Sequence, residues 1–350
     1  MTKKVVFIIA LGCIISCNNK AVKVNKDFPI VQELKANLIP INEILKYGGI
    51  YKLKDYIVLR DVSETCKVFY YVYKYPEFQF LYTFANKGQG PNEHISASTV
   101  YDTPDNFITF RDQGDKFFTY QLTDTSSNLI YSSIVKSDID PSFLIMAHTQ
   151  IDDDLYLGRI QNGKSSRQAL ICFKTKKIIH NIPSAFNLEK ELGNKYYPTF
   201  DACLMTSNNK RFACGYRLMD LIEFGSIQNN QIVITNRVGI KKAPKFHLYG
   251  PGKPDGYDSN YLYNTVYYED MICGEKYVYT LYANKPIGDL ENGHSLMIEV
   301  YSWDGRSVAL FKLDKSISKF IVDEELQTIY GYDFDNSEDF LYSFKYDIPD

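Results

Sequence analysis

The chain has 350 residues, of which 45% are hydrophobic and 23% are charged, so it can form a sizeable globular core. Its formal net charge of −3 argues against a nucleic-acid partner, because such proteins usually present a basic surface. Aromatic residues make up 15% of the chain, and tyrosine and phenylalanine favour pleated, half-buried strands. The composition therefore favours an all-β fold.

The first segment, residues 1–16, is predicted to be a lipoprotein signal peptide. Two lysines precede an apolar run over residues 5–15, which is too short to span a bilayer. Residues 14–17, Ile-Ile-Ser-Cys, resemble the bacterial lipobox, in which a signal peptidase cleaves before a cysteine that receives lipid. We therefore predict lipid attachment at Cys17, which places the protein in the cell envelope, on a membrane. Cys13 offers a rival cleavage frame, but its apolar run is shorter.

The cysteines of the mature chain do not form a metal-binding pattern. Five of them follow Cys17, and an odd number cannot all pair. There is no C-x-x-C motif and no Cys/His cluster with zinc spacing. We predict that most are buried apolar residues, and a bridge across a hairpin between Cys203 and Cys214 is left open.

A tether over residues 17–27 is followed by a repeat in which a polar turn precedes a strand. Six copies can be aligned on one residue each: Ile57, Ile108, Tyr156, Phe212, Val278 and Ile329. The copies recur about every 50 residues, a period typical of β-propellers, in which radial stacking buries both faces of each small sheet. Longer intervals are explained by a short helix or loop at residues 184–197 and a Gly/Pro-rich loop at residues 241–260.

The repeat predicts a six-bladed β-propeller of four-stranded antiparallel blades over residues 28–350. The last copy has room for about three strands, so a strand from residues 28–45 is expected to complete it and close the ring. A seventh blade within the N-terminal region is the main alternative.

Three stretches of the chain resemble one known family. They are "KGQGPNE" (87–93), "CGYRLMDLIEFGSI" (214–227) and the region from "YVYTLYANK" to "IYGY" (277–332). They are similar to segments of the TolB-like six-bladed β-propeller lipoproteins of Gram-negative gut bacteria. The resemblance implies the fold and the envelope location but little chemistry. Asn92 departs from the family pattern, which more often has a glycine there.

The stretch "FANKGQGPNEH" (84–94) contains a G-x-G pattern that could indicate a phosphate loop. In its place between the first two copies, it is instead predicted to be an inter-blade turn. Gly88 and Gly90 would let the chain turn, Pro91 would stiffen the exit, and Glu93 would cap or pair nearby.

Arginines recur at the end of the strand that defines the repeat. The four are Arg60, Arg111, Arg159 and, after a slip of two residues, Arg217. Equivalent positions of a propeller lie on a ring around one face, so these guanidiniums could bind a carboxylate or a phosphate. Alternatively they form local pairs, since Asp61 and Asp112 directly follow two of them. The inter-blade turn should share this face.

No catalytic residue, cofactor or metal site is predicted. The chain has no Walker loop, no G-x-S-x-G elbow and no H-E-x-x-H motif, and its five histidines are scattered. The acidic runs within residues 151–156 and 333–339 are interpreted as turns rather than calcium sites.

The sequence thus predicts a monomeric, membrane-anchored binding or scaffold propeller for a protein, glycan or anionic ligand. The alternative is a propeller enzyme of the lactonase, lyase or glycosidase type. Such an enzyme would gather carboxylates, histidines or a metal ion at the mouth of the channel.

Overall fold

The structure, a computed structural model, describes residues 26–349 except residues 45, 103–105, 114–115, 135–142, 153–154, 163–164, 173–174, 176, 249–259 and 336–338. The predicted signal peptide, Cys17 and most of the tether lie outside the described residues. Among the residues described, no helix combines the length and apolar character that crossing a membrane requires.

Two N-terminal strands, β1 (Ile30–Leu34) and β2 (Ala36–Pro40), precede six small sheets that follow one another along the chain. Blade 1 consists of β3 (Tyr47–Lys52), β4 (Tyr56–Asp61), β5 (Val68–Lys74) and β6 (Gln79–Asn86). Blade 2 consists of β7 (Ser98–Asp102), β8 (Phe107–Asp112), β9 (Lys116–Leu122) and β10 (Ser127–Ile134). Blade 3 consists of β11 (Phe143–Asp152), β12 (Leu155–Asn162), β13 (Ser165–Cys172) and β14 (Lys177–Pro183). Blade 4 consists of β15 (Cys203–Asn208), β16 (Arg211–Tyr216), β17 (Leu221–Gln228) and β18 (Gln231–Gly239). Blade 5 contains β19 (Thr265–Cys273), β20 (Tyr277–Pro286), β21 (Ser295–Ser302) and β22 (Ser307–Ile317). Blade 6 contains β23 (Lys319–Asp323), β24 (Thr328–Tyr332) and β25 (Phe340–Lys345).

The helical segments are short and lie between or within blades. The helix α1 (Leu188–Leu192) occupies the predicted insertion, and the Asn187 side chain accepts a hydrogen bond from the Lys190 N–H at its start. The 3₁₀ turns are Gly193–Lys195, Pro198–Asp201, Tyr261–Tyr263 and Ile287–Asn292.

The predicted six-bladed propeller is confirmed, and every repeat anchor lies in the second strand of its blade. The first strands of neighbouring blades contact one another around the ring, so they surround the central axis. Second strands are packed on both faces: β24 is buried along its whole length, and β4 at all but one residue. This explains why the second strand is the most apolar and recognisable part of each copy.

The blades present two faces to solvent. Because neighbouring strands within a blade are antiparallel, the second and fourth strands end at the same face. We call this the connector face, since it holds the turns after each second strand, such as residues 62–67, and the connections between blades, such as residues 87–97.

The ring is closed by the N-terminal strands. As predicted, β2 completes blade 6 by pairing antiparallel with β25, from Ala36 opposite Phe344 to Pro40 opposite Phe340. A second contact was not predicted: β1 pairs parallel with β22 and becomes a fifth strand of blade 5. Strands β1 and β2 therefore join blade 5 to blade 6.

The segment just before β1 is also fixed to the propeller. The Lys26 ammonium lies 3.0 Å from a Glu299 oxygen and also pairs with Asp220, between blades 4 and 5. Phe28 packs edge-on against Tyr301, with ring centroids 5.5 Å apart. Lys26, which the sequence assigns to the tether, is thus part of the folded body.

Aromatic side chains fill the spaces between blades. Tyr70 of blade 1 stacks near Phe110 of blade 2, with centroids 5.2 Å apart, and Tyr47 of blade 1 stacks on Tyr332 of blade 6 at 5.0 Å. Full burial of one such side chain contributes roughly 1.5–3 kcal/mol. The tyrosine-rich composition is therefore explained by packing between sheets.

Candidate functional site

Arg60 and Arg111 lie one residue before the ends of their second strands, at the connector face, and Arg217 directly follows its second strand. Arg159 lies within β12, three residues before the end of that strand. The Arg60 guanidinium donates a hydrogen bond to the Ser96 carbonyl oxygen at 3.0 Å, Arg111 is half-buried, and Arg217 is exposed. Arg159 differs, because its side chain is buried and lies 2.8 Å from the Asp201 carboxylate. Arg60 and Arg159 thus make local contacts, and an anionic ligand at these arginines stays a proposal.

A buried aspartate recurs beside the ends of second strands. From the sequence, Asp61 and Asp112 were considered only as partners of the neighbouring arginines. Asp61 and Asp112 are the last residues of second strands and Asp333 directly follows one; each lies four residues after the repeat anchor, and all three are buried. Asp112 accepts hydrogen bonds from the backbone N–H groups of Ser96 at 2.8 Å and Gln113 at 2.7 Å. This aspartate therefore fixes the connection between blades 1 and 2.

The predicted inter-blade turn is a compact loop on the connector face. Gly88 donates to the His94 carbonyl oxygen at 2.9 Å, and the Gly90 N–H donates to the Glu93 carboxylate at 2.7 Å. A Cβ at Gly88 would overlap the Glu93 carboxylate. Asn92 has φ of 64°, a conformation that asparagine tolerates and that glycine adopts most easily.

An open depression of about 500 Å³ lies beside this turn. It is lined by residues of the turn, including Glu93, and by Lys116 and Phe118 of β9. Asp112 is a further lining residue. The depression thus combines an aromatic residue, a cation and two acidic residues.

His94, at the end of the same turn, is a buried histidine in an aromatic surrounding. Its Nδ1 atom lies 3.1 Å from Asp112, and its Nε2 atom lies 3.1 Å from the Tyr120 hydroxyl. The rings of Phe110 and Phe118 contact it edge-on. Burial lowers the pKa of His94, and the nearby Asp112 only partly offsets this.

The charge of Asp112 is maintained despite burial. Burial by itself raises the pKa of this carboxyl group, but the backbone N–H groups of Ser96 and Gln113 and the ring of His94 outweigh it. The net pKa is lowered, so Asp112 stays ionised as an acceptor at neutral pH.

A second histidine, His294, lies among carboxylates where blades 5 and 6 meet. Its Nδ1 atom is 2.7 Å from Glu269, and its Nε2 atom is 3.1 Å from Asp335 and 3.9 Å from Asp333. The hydrogen bond that Nδ1 of His294 donates to Glu269 is the largest cause of the raised pKa of His294. From sequence alone, residues 333–339 were interpreted as an acidic turn, with no link to a histidine 41 residues from Asp335.

The fold explains this grouping. His294 lies in the connection from the second to the third strand of blade 5, and Asp333 and Asp335 follow the second strand of blade 6. Both connections are on the connector face, so neighbouring blades bring them together. Asp112 and Asp333 each lie four residues after the repeat anchor of their blade, and this shared spacing was the one signal in the sequence that pointed to the group.

Blades 3 and 4 meet in a buried polar network that involves Arg159. Asp201 accepts hydrogen bonds from Arg159 and from the Tyr196 hydroxyl, the latter at 2.9 Å. Cys203 and Cys214 are buried close by as unpaired thiols. The network is sealed between the two sheets, which favours a structural role.

Comparisons with known proteins agree with this fold. A family model described as TolB-like 6-blade propeller-like matches residues 46–325. No curated protein matches the sequence. A solved protein of Bacteroides fragilis that is assigned as exported has 14% identity and a TM-score of 0.54, covering 91% of this chain and 99% of its own.

Two further structures have similar scores. A member of the DUF4221 family from Bacteroides vulgatus has 12% identity and a TM-score of 0.58, covering 90% of this chain and 99% of its own. The β-propeller domain of Cps50 (Swd1) from Myceliophteria thermophila has 8% identity and a TM-score of 0.54, covering 89% and 100%. At these identities the likeness shows the fold alone. Because the family model spans most of the six blades, the chain belongs to the TolB-like six-bladed propeller family.

Proposed function

We propose that this protein is a lipid-anchored binding or scaffold propeller of the cell envelope, which engages a protein, glycan or anionic ligand at its connector face. The observation that supports this most is the depression between blades 1 and 2. Its volume lies within the range of small-ligand sites, and its lining includes both Phe118 and Lys116. Aromatic rings beside polar donors suit a sugar or another polar ligand with an apolar face.

Arginines near this depression favour an anionic ligand. Arg60 and Arg111 are each the last residue but one of the second strand in the two blades on either side of the connection, and Lys116, which lines the depression, is exposed. Guanidinium and ammonium groups attract carboxylates and phosphates. A glycan that carries an acidic group would use both features.

The binding proposal is tested with the chain from Val22 onward, which retains every described residue. Glycan arrays and capture of envelope proteins are compared between the wild type and the variant with Arg60→Ala, Arg111→Ala and Lys116→Ala. We expect at least a tenfold loss of affinity in the variant. Arg306→Ala, at an exposed turn on the opposite face, is the matched control and should bind normally. Equal binding by all three proteins would refute a site at this depression.

The envelope location is supported by the lipobox-like residues 14–17 and by the similar protein of Bacteroides fragilis that is assigned as exported. Metabolic labelling with an alkyne fatty acid tests it. Cys17→Ser should abolish labelling and release the protein from membranes, whereas Cys13→Ser should keep both. The opposite pattern would assign the lipid to the rival frame, and no label in any form would refute the anchor.

An enzyme is the second candidate, because His294 lies with Asp333 and Asp335 on the connector face. A panel of lactone and glycoside substrates tests this. Turnover that is lost in His294→Ala but kept in the Arg60/Arg111/Lys116 variant would favour the enzyme over the binding module.

A further inference from the structure

Three potential ligand atoms for a metal ion converge where blades 5 and 6 meet. The nitrogen Nε2 of His294 lies 3.1 Å from an Asp335 oxygen and 3.9 Å from an Asp333 oxygen, and all three lie within 4.8 Å of one another. A tetrahedral zinc ion with bonds of about 2.0–2.2 Å separates its ligand atoms by roughly 3.3 Å. The spacing in the protein is therefore close to that of a three-ligand site.

The imidazole is oriented by a carboxylate outside the three ligands. Glu269 accepts from Nδ1 of His294 at 2.7 Å, and its other oxygen accepts from the Ser295 hydroxyl at 2.7 Å. A proton held at Nδ1 leaves the Nε2 lone pair directed toward the two aspartates. Metal-binding histidines are commonly fixed in this way by a second carboxylate.

The electrostatics of this group favour a cation. Three carboxylates surround one imidazole, and a lone pair that faces two of them is unfavourable unless a positive centre lies between. Lys285 is near, but its ammonium donates to the carbonyl oxygens of Gly293 and His294. Lys46 lies over the Phe334 ring at 4.5 Å. A protonated imidazole adds one positive charge, whereas a divalent ion adds two.

Accessibility suits an exchangeable ion. The side chain of Asp333 is 1% exposed and that of His294 is 15% exposed, while that of Asp335 is 47% exposed. The group is thus closed on the side of the blades and open to solvent at Asp335. Three protein ligands and an open position form the arrangement in which zinc retains a water molecule.

We propose that His294, Asp333 and Asp335 bind one divalent transition-metal ion of the Zn²⁺ type, with Glu269 as the positioning residue. The ion joins a connection of blade 5 to a connection of blade 6 on the connector face. An imidazole ligand and a low ligand number favour Zn²⁺ over Ca²⁺ and Mg²⁺, which take six or more oxygen ligands. This site does not depend on the ligand proposed for the depression between blades 1 and 2.

The test is a titration of the purified, EDTA-treated protein with ZnCl₂ by calorimetry, with bound metal counted by mass spectrometry. We expect one Zn²⁺ per chain and a melting temperature that rises by a few degrees with added Zn²⁺. His294→Ala and Asp335→Asn should each weaken binding at least tenfold. Glu269→Gln should weaken it by about 10–100-fold, the usual effect of losing such a partner.

Controls separate this site from other zinc ligands. His247→Ala removes an exposed histidine elsewhere and should leave the titration unchanged. Asp335 is exposed, so metal-free Asp335→Asn should melt at the same temperature as the metal-free wild type. A loss of Zn²⁺ binding in this variant would therefore not result from misfolding. Equal Zn²⁺ affinity in the wild type, His294→Ala and Asp335→Asn would overturn the proposal. So would an affinity for Zn²⁺ no higher than for Ca²⁺ or Mg²⁺, which would leave only an ion-paired imidazolium.

Discussion

His94 and His294 each lie beside an aspartate at the end of a second strand, yet their surroundings are opposite. His94 is enclosed by the rings of Phe110, Phe118 and Tyr120, and its pKa is lowered. His294 is surrounded by carboxylates, and its pKa is raised. One repeat position therefore serves two purposes, and the neighbours of the aspartate decide which.

Asp112 and Asp333, the aspartates beside these two histidines, also differ in their hydrogen-bond partners. Asp112 accepts backbone N–H groups from the connection between blades 1 and 2, and these bonds fix the loop. Asp333 accepts from the Asp335 N–H at 3.0 Å and from the Ser316 hydroxyl, and it also faces His294. We therefore expect changes at blade 2 to affect folding and changes at blade 6 to affect metal binding.

The largest expected effect is that of His94→Ala. The substitution leaves a cavity among aromatic rings and removes a partner of Asp112, so it should lower the free energy of unfolding by about 3 kcal/mol. His294→Ala should lower it by less than about 1 kcal/mol in metal-free protein. Urea denaturation measures both, and equal losses would contradict the comparison.

Asp112→Asn should have the second-largest effect. The amide cannot accept at both of its terminal atoms, so one buried donor loses its partner and charge-assisted bonds become neutral. We expect a loss of about 2 kcal/mol. Asp333→Asn relieves repulsion among carboxylates and should lose about 1 kcal/mol or less without metal. A larger loss at Asp333 in the same urea experiment would show that blade 6 depends on its aspartate as blade 2 does.

The pH dependence of stability should reflect His94. Because its pKa in the folded protein is lowered, the unfolded chain binds a proton first as the pH falls below about 6.5. The contribution of neutral His94 to the free energy of unfolding is therefore fully present above that pH. It is lost as the pH falls toward the lowered pKa of His94 in the folded protein. The wild type should lose about 1 kcal/mol more than His94→Gln between pH 7.5 and 5.

Denaturation midpoints at several pH values measure this difference. His148, whose pKa burial lowers to about 4, contributes equally to both proteins and cancels. Identical pH profiles of wild type and His94→Gln would mean that folding does not change the pKa of His94, which would contradict this prediction.

The smallest expected effect is that of Glu93→Ala in the inter-blade turn. Its bond to the Gly90 N–H is exposed to solvent, so its loss should change the free energy of unfolding by about 0.5 kcal/mol. A loss as large as that of Asp112→Asn would show that the turn, rather than the aspartate, fixes the connection. Thermal melts of the two variants side by side give the answer.

The fold could be predicted because second strands such as β4 and β24 are almost wholly buried, so an apolar segment recurs at a regular period. Ring closure by β2 followed from the strand missing in the last copy. The parallel pairing of β1 with β22 could not be predicted, since a fifth strand fills no gap in the repeat.

The candidate sites were harder to predict because they depend on contacts between blades. Arg159 looked equivalent to Arg60 along the chain, but the insertion before blade 4 places Asp201 against it. The group of His294 and Asp333 joins turns of two blades, and nothing in the local sequence of either turn indicates the other. Periodicity reports on single blades, whereas these sites lie where two blades meet.

The position of Lys26 limits how far the proposed lipid can be from the protein body. Eight residues lie between Cys17 and Lys26, and the nine Cα–Cα steps that join the two reach at most about 32 Å when the chain is fully extended. This is close to the thickness of the hydrocarbon core of one bilayer, about 30 Å. A propeller attached through Cys17 would therefore stay within one membrane thickness of the lipid surface, at the side where blades 4 and 5 meet. Any partner of the anchored propeller would therefore be bound close to that surface.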